Sequence, residues 1–143
     1  MFTAGGRPHR RKISPSSLKK IRSKVREITR RNRSYSMETR IKILSRYLIG
    51  WREYYGYCET PSVLRDLDSW IRRRLRNVQW KQWKVYRRRK SELIRLGVSA
   101  DLEHTTAFSP KGPWNICHTP GVRIALNNKY FDDLGLPRLE PNI

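Results

Sequence analysis

The sequence has few of the residues and motifs that carry catalysis. Its two cysteines, Cys58 and Cys117, could form a disulfide only if the fold brought them together, and we expect two free thiols. Cys117, His118 and the distant His104 lack the ligand spacing of a zinc site. The chain also lacks a glycine-rich phosphate-binding loop and a plausible Ser/His/Asp order. We therefore predict no enzymatic activity, no metal and no cofactor.

Acidic residues and long apolar runs are also scarce. Asp66 and Asp68 suggest paired carboxylates, but the flanking Leu64, Leu67 and Ile71 identify them as acids on a helix surface. No apolar run approaches the roughly 18 residues of a membrane span, and the basic residues at 7–12 precede no apolar signal region. We predict a soluble, cytoplasmic protein without a membrane partner.

Basic charge is abundant and concentrated in the first 90 residues. They hold 27 of the 32 Lys and Arg residues and six of the 12 acids, and so carry +21, whereas the last 53 residues carry −1. This asymmetry favours a polyanionic partner. Five Trp and seven Tyr among the 143 residues supply enough apolar area for a compact core.

Apolar periodicity predicts three long helices. Ser14 and Pro15 suit the cap and first position of the first helix, and Ser36 suits the cap of the second. The third follows Thr60 and Pro61 and could extend to about residue 86. The predicted fold class is all-α: a three-helix bundle with a small, irregular, partly helical C-terminal segment. The predicted divisions are a flexible basic segment at 1–13, the helical domain at 14–96, and the C-terminal segment at 97–143, packed on the bundle.

Basic residues form rows beside the apolar stripes. The row on the first helix recurs at spacings of 3, 4, 4 and 3 with no acid placed to pair with it, so phosphates explain it better than a solvated face. On the third helix, cations interleave with Trp80 and Trp83, which either stack on bases or are covered by the C-terminal segment; we favour covering. The predicted nucleic-acid contacts are Lys19, Arg22, Arg26, Arg30, Arg33, Arg65, Arg72, Arg73, Arg76, Lys81, Lys84, Arg87 and Arg88.

Five sequence motifs occur in a recognisable order. They are YLIGWREYYG at 47–56, LDSWIRRRLR at 67–76, WKQWK at 80–84, KGPW at 111–114 and GLP at 135–137. Together they resemble the thumb or maturase domain of bacterial group II intron-encoded reverse transcriptases, over about residues 13–139. The resemblance implies a maturase that binds structured group II intron RNA and promotes its folding and splicing.

Other parts of that family have no counterpart in the sequence. Its members carry fingers and palm subdomains with a Tyr-Ala-Asp-Asp-type motif, and many carry a Cys- and His-containing endonuclease domain; the 143 residues contain neither. Polymerase and nuclease activities are therefore not implied.

Further partners that stay open are an RNA–DNA duplex, target DNA, and a fingers–palm polymerase domain on another chain. The alternative functions are a thumb fragment that grips a template–primer duplex and a generic basic nucleic-acid-binding helical protein. Neutralising about six to eight phosphates would make log affinity fall with log salt at a slope of about −5 to −7.

Overall fold

Helices make up the regular structure of the described residues, which are 13–30, 35–55 and 61–140 of a computed structural model. No strand occurs among these residues, and the predicted all-α fold is confirmed. The eight helices found there are α1 (Pro15–Ile28), α2 (Met37–Tyr55), α3 (Pro61–Gln82), α4 (Tyr86–Arg95), α5 (Ala100–Ala107), α6 (Pro113–Ile116), α7 (Pro120–Ala125) and α8 (Asn128–Asp133).

The helix starts follow the capping signals in the sequence. The Ser14 hydroxyl accepts a hydrogen bond from the backbone N–H of Ser17 at 3.2 Å, and Pro15 opens α1. The Ser36 hydroxyl accepts from the backbone N–H of Thr39 at 3.2 Å. These bonds satisfy N–H groups that have no partner within the first helical turn.

Helix α1 ends earlier than the basic row predicts. Thr29 follows its last residue, and the Thr29 hydroxyl donates to the carbonyl of Val25 at 2.6 Å. The fully buried Arg40 of α2 donates from Nη1 to the carbonyls of Ile28 at 2.6 Å and Arg30 at 3.0 Å. A cation bound to the last carbonyls stabilises a helix end, so the chain leaves the helix before Arg30.

Helix α3 is also shorter than predicted, because it ends at Gln82 and a separate helix, α4, begins at Tyr86. Farther along, α4 and α8 are each followed closely by a glycine. Gly97 and Gly135 have φ angles of +95° and +99°, in the left-handed region that glycine tolerates best. These glycines let the chain turn sharply and pack its short helices against the long ones.

The apolar stripes of the long helices are buried in one continuous cluster. Ile21, Leu44 and Leu67, one from each of α1 to α3, are each fully buried. The same cluster continues into Val122 and Phe131 of the C-terminal segment. Each Å² of apolar surface removed from water stabilises the folded state by about 25 cal/mol. The C-terminal helices bury apolar side chains in the same cluster and are therefore part of the stabilising core.

Asp68 anchors the C-terminal segment and is not the surface acid that the sequence suggested. Its carboxylate accepts hydrogen bonds from the backbone N–H of Leu139, at 2.8 and 3.1 Å, and of Glu140, at 3.1 Å. Burial raises the pKa of Asp68, and these two N–H groups and the Arg72 charge only partly offset the rise. The other acid, Asp66, is exposed as predicted.

Two further expectations concern the thiols and the N-terminal segment. Cys117 is a buried free thiol, and burial raises its pKa to about 11. Cys58 and, apart from Ile13, the segment 1–13 lie outside the described residues.

None of the described helices is both long and apolar enough to cross a membrane.

Candidate nucleic-acid interface

Three arginines surround a half-buried tryptophan where α1 meets α3. Trp70 lies on α3, and Arg74 follows it by one helical turn. The guanidinium carbons of Arg22, Arg26 and Arg74 lie 5.7, 5.4 and 5.6 Å from the centroid of the Trp70 ring. These distances are within the range of cation–π attraction. We call these four residues the Trp70 cluster.

The Trp70 cluster carries positive charge that no described acidic residue compensates locally. Among the described residues, no carboxylate oxygen lies within 4.0 Å of its three guanidinium groups. Arg74 is held in place by a 2.8 Å hydrogen bond from its Nε to the hydroxyl of Thr29. Burial and the neighbouring charge of Arg26 lower the pKa of Arg74. An anion bound there would relieve this repulsion.

A cleft of about 390 Å³ lies beside the Trp70 cluster, between α3 and the short helices of the C-terminal segment. Trp70 belongs to both features, and no acidic residue is among the described residues that line the cleft. The lining residues are Ser69, Trp70, Arg72, Arg73, Arg76, Trp114, His118, Arg123 and Asn128.

Hydrogen bonds to neutral acceptors hold two cleft arginines in place. The Arg73 guanidinium lies 3.9 Å from the centroid of the Trp114 ring and donates to the Trp114 carbonyl at 2.8 Å. Arg76 donates from Nε to the carbonyl of Leu126 at 2.6 Å and from Nη2 to the side-chain oxygen of Asn128 at 3.2 Å. Because these acceptors are neutral, both arginines keep their net charge beside the cleft.

Arg72 serves a structural role at the back of the cleft. It is 3% exposed and donates to Asp132 of α8 at 2.8 Å, with Asp68 at 3.8 Å on its other side. Arg138 donates to the second oxygen of Asp132, also at 2.8 Å. Burial alone would raise the pKa of Asp132, but the hydrogen bonds from Arg138 and Arg72 outweigh it and lower that pKa. Arg72 therefore fastens the C-terminal segment, and little of its side chain is accessible to a ligand.

The basic row of the first helix is only partly helical. Lys19, Arg22 and Arg26 are exposed on α1, as the spacing predicts. Arg30 is exposed but lies beyond the helix end, so the prediction of a single helical row through it is wrong. Arg33 lies outside the described residues.

The remaining predicted contacts are scattered along α3, α4 and the turn between them. Arg65 is paired with Glu140 at 3.4 Å and Arg88 with Glu92 at 3.8 Å, both as partly exposed ion pairs. Such pairs contribute little to stability and can exchange for a phosphate. The others are half-buried Lys81 and exposed Lys84 and Arg87.

The tryptophans that interleave with cations on α3 are buried. Trp80 is 2% exposed and Trp83 is 1% exposed, so both are buried, while covering by the C-terminal segment in particular stays a prediction. Part of the cover over Trp80 comes from α4, because the Arg89 guanidinium lies 4.5 Å from the Trp80 ring centroid and donates to its carbonyl. These two rings are therefore not available for stacking on bases.

The contacts predicted from the sequence omit several residues of the Trp70 cluster and of the cleft. Trp70 and Arg74 are one turn apart on α3, and this local spacing could have identified them. Trp114, His118 and Arg123 have no such signal, because only the folding of the C-terminal segment brings them to α3. Their position depends on contacts between residues some 40 to 50 positions apart in sequence.

The chemistry available at this surface is recognition of anions and aromatic groups. Within the described ranges, no group of three or more His, Cys, Asp or Glu residues could hold a metal ion. Guanidinium groups match the geometry of phosphate oxygens, and exposed rings offer faces to nucleotide bases. The arrangement thus suits a nucleic acid better than a neutral small molecule.

Comparison with known families places this surface in context. No curated protein matches the chain. The model of the group II intron maturase-specific domain matches residues 18–96, which is more than half of the 143 residues and includes the whole Trp70 cluster. Trp114, His118 and Arg123 lie beyond the matched region. The chain belongs to the group II intron maturase-specific domain family.

Proposed function

We propose that this protein is a maturase that binds structured group II intron RNA through the Trp70 cluster and the exposed basic residues beside it, and thereby promotes splicing. The observation that carries the proposal is a set of three guanidinium groups around one tryptophan, without a nearby carboxylate among the described residues. This set lies inside the region that matches the maturase-specific family.

The arrangement of charge favours contact with an RNA backbone. Lys19, Arg22 and Arg26 recur along one side of α1 over about 10 Å at 1.5 Å per residue. A helix does not enter the deep, narrow major groove of A-form RNA, so we expect the row to follow phosphates at a minor groove, loop or junction. Affinity would come from released counterions, and specificity from the shape of the folded RNA.

Promotion of splicing needs no catalytic residue in the protein. A ligand that binds one conformation more tightly than the others shifts the population toward that conformation. Binding the folded intron would therefore increase the fraction of RNA in which the ribozyme is assembled. The intron itself would carry out the chemistry.

The test compares the affinity of the full chain for three RNAs at one fixed salt concentration. They are a folded group II intron, the same intron kept unfolded, and an unrelated structured RNA of equal length. We expect the folded intron to bind at least about tenfold more tightly, which is about 1.4 kcal/mol. Equal affinities would contradict the maturase function and leave only generic binding.

Two further measurements separate the alternatives. An RNA–DNA hybrid duplex that outcompetes the intron would indicate a thumb that grips template and primer. A splicing assay, under conditions where the RNA alone is mostly unfolded, should show faster product formation when the protein is added. Tight intron binding without faster splicing would contradict the proposed role in folding.

A further inference from the structure

We propose that the cleft beside Trp70 binds one unpaired nucleotide that projects from the RNA, with its base against the aromatic walls and its phosphate at Arg76 and Arg123. The inference rests on the proposed RNA-binding function and adds a second contact to it, at a cleft with one wall inside the matched region and the other beyond it. The ligand class is a single extruded ribonucleotide with its flanking phosphate.

The size and lining of the cleft fit such a ligand. Its volume of about 390 Å³ is near the lower end of the roughly 300 to 1,000 Å³ typical of small-ligand sites, so it has room for one nucleotide and not for a duplex. Trp70 and Trp114 supply aromatic surface on its walls. Trp114 is 37% exposed, which is unusual for such a large ring and leaves surface for a base.

The charge of the cleft favours a phosphate group. Among the described residues, Arg73 and Arg76 hydrogen-bond to neutral oxygens, and no carboxylate of that part of the chain lies within 4.0 Å of Arg123. Desolvation and the charges of Arg73, Arg123 and Arg76 lower the pKa of His118, which is exposed at the cleft. A negative ligand would relieve this concentration of positive charge.

The walls of the cleft are preorganised. Arg73 is fixed by its stacking on Trp114 and by its bond to the Trp114 carbonyl, and Arg76 by two hydrogen bonds. Groups that are already ordered lose less conformational entropy when a ligand binds. Because Trp70 belongs both to the cleft and to the Trp70 cluster, one RNA can place a helical backbone on α1 and the adjacent unpaired nucleotide in the cleft.

The test uses RNA hairpins that differ at one position. The first has an uninterrupted stem, the second carries one bulged adenosine, and the third carries an abasic bulge with the same backbone. We expect the wild-type chain to bind the adenosine bulge roughly tenfold more tightly than the uninterrupted stem, in line with the value of one stacked base. The abasic bulge should bind like the uninterrupted stem, or only slightly better.

Variants then locate the preference. Trp114→Leu and, separately, Arg123→Gln should reduce the ratio of bulged to unbulged affinity from about tenfold to near one. The paired variant Arg22→Gln with Arg26→Gln should weaken binding to both hairpins and leave the ratio in place. Lys42→Gln with Arg46→Gln, which removes two exposed charges from α2, controls for a general loss of charge. Circular dichroism and thermal unfolding establish that each variant is folded.

The outcomes separate this inference from the proposed function. A bulge preference that survives both Trp114→Leu and Arg123→Gln overturns the cleft, while RNA binding itself stands. An abasic bulge that binds as tightly as the adenosine bulge also overturns it, because the base then makes no contact. No measurable binding to any hairpin or to intron RNA would instead contradict the proposed function.

Discussion

Arginines lie on both sides of α3, but their neighbours differ between the two sides. Arg72 and Arg76 lie on one side, and Trp70 and Arg74 lie about 200° around the helix from Arg72 at 3.6 residues per turn. The first side faces the C-terminal segment, where carbonyls and the Asp132 carboxylate accept its hydrogen bonds. The second side faces α1, which brings further cations.

This difference shows that the number of basic residues does not measure the extent of a binding surface. The residues that the fold packs beside an arginine decide whether that arginine is available to a ligand. A neighbouring carboxylate, such as Asp132 beside Arg72, turns an arginine into a structural contact, whereas a second basic helix adds cations and leaves the positive charge available to a phosphate. Of the arginines at positions 72 to 74, the first is nearly inaccessible and the third belongs to the Trp70 cluster.

The largest expected effect is on RNA affinity at the α1 side. Replacing Arg22, Arg26 and Arg74 together with Gln should weaken binding to folded intron RNA roughly 30- to 300-fold at low salt, because charge-assisted contacts to phosphate are lost. The slope of log affinity against log salt should become shallower by about two to three. Titrations at several salt concentrations measure both quantities.

A control variant removes equal charge elsewhere. Lys42→Gln, Arg46→Gln and Lys129→Gln are exposed positions on α2 and α8, outside the Trp70 cluster and the cleft. This triple variant should lower affinity only slightly. Equal losses in the two triple variants would contradict a special role of the Trp70 cluster, because binding would then follow total charge alone.

The next effect concerns the stability of the C-terminal side. Asp132→Asn should lower the free energy of unfolding by about 1–3 kcal/mol, because it deprives a buried arginine of its closest carboxylate. Arg72→Met with Asp132→Asn should recover part of this loss, since neither partner is then left charged and unpaired at the interface. Urea unfolding measures the free energy of unfolding of both variants. An unchanged free energy in Asp132→Asn would show that the pair does not fasten the segment.

The smallest effect is a dependence on acid. The pKa of Asp132 is lowered in the folded state, so its stabilising contribution is present above the ordinary aspartate pKa of 3.8 and is lost as pH falls through the lower, folded value. The difference in unfolding free energy between wild type and Asp132→Asn should therefore shrink below about pH 4. Asp68 has a raised pKa and acts with the opposite sign, but it is present in both proteins, so the comparison removes most of its contribution. A difference that grows in acid would contradict this account.

The sequence predicted the parts of the molecule that depend on local spacing. The buried stripes, the serine caps and the exposed positions of Arg22 and Arg26 all follow from helical periodicity. Asp68 and Arg72 were misplaced because a charged residue is expected at the surface unless a distant partner is known. The cleft could not be predicted at all, since its two walls are separated by some 40 residues of chain.

Arg40 restrains the C-terminal end of α1. Its buried guanidinium joins α2 to the carbonyl of Ile28, the last residue of α1, and to that of Arg30 just beyond it. Helix α1 cannot pivot about its C-terminal end without breaking these charge-assisted bonds, each stronger than an ordinary hydrogen bond. Under the proposed function, an RNA would therefore meet a helix whose C-terminal end is held in place, and would adjust its own backbone to reach the cations on it.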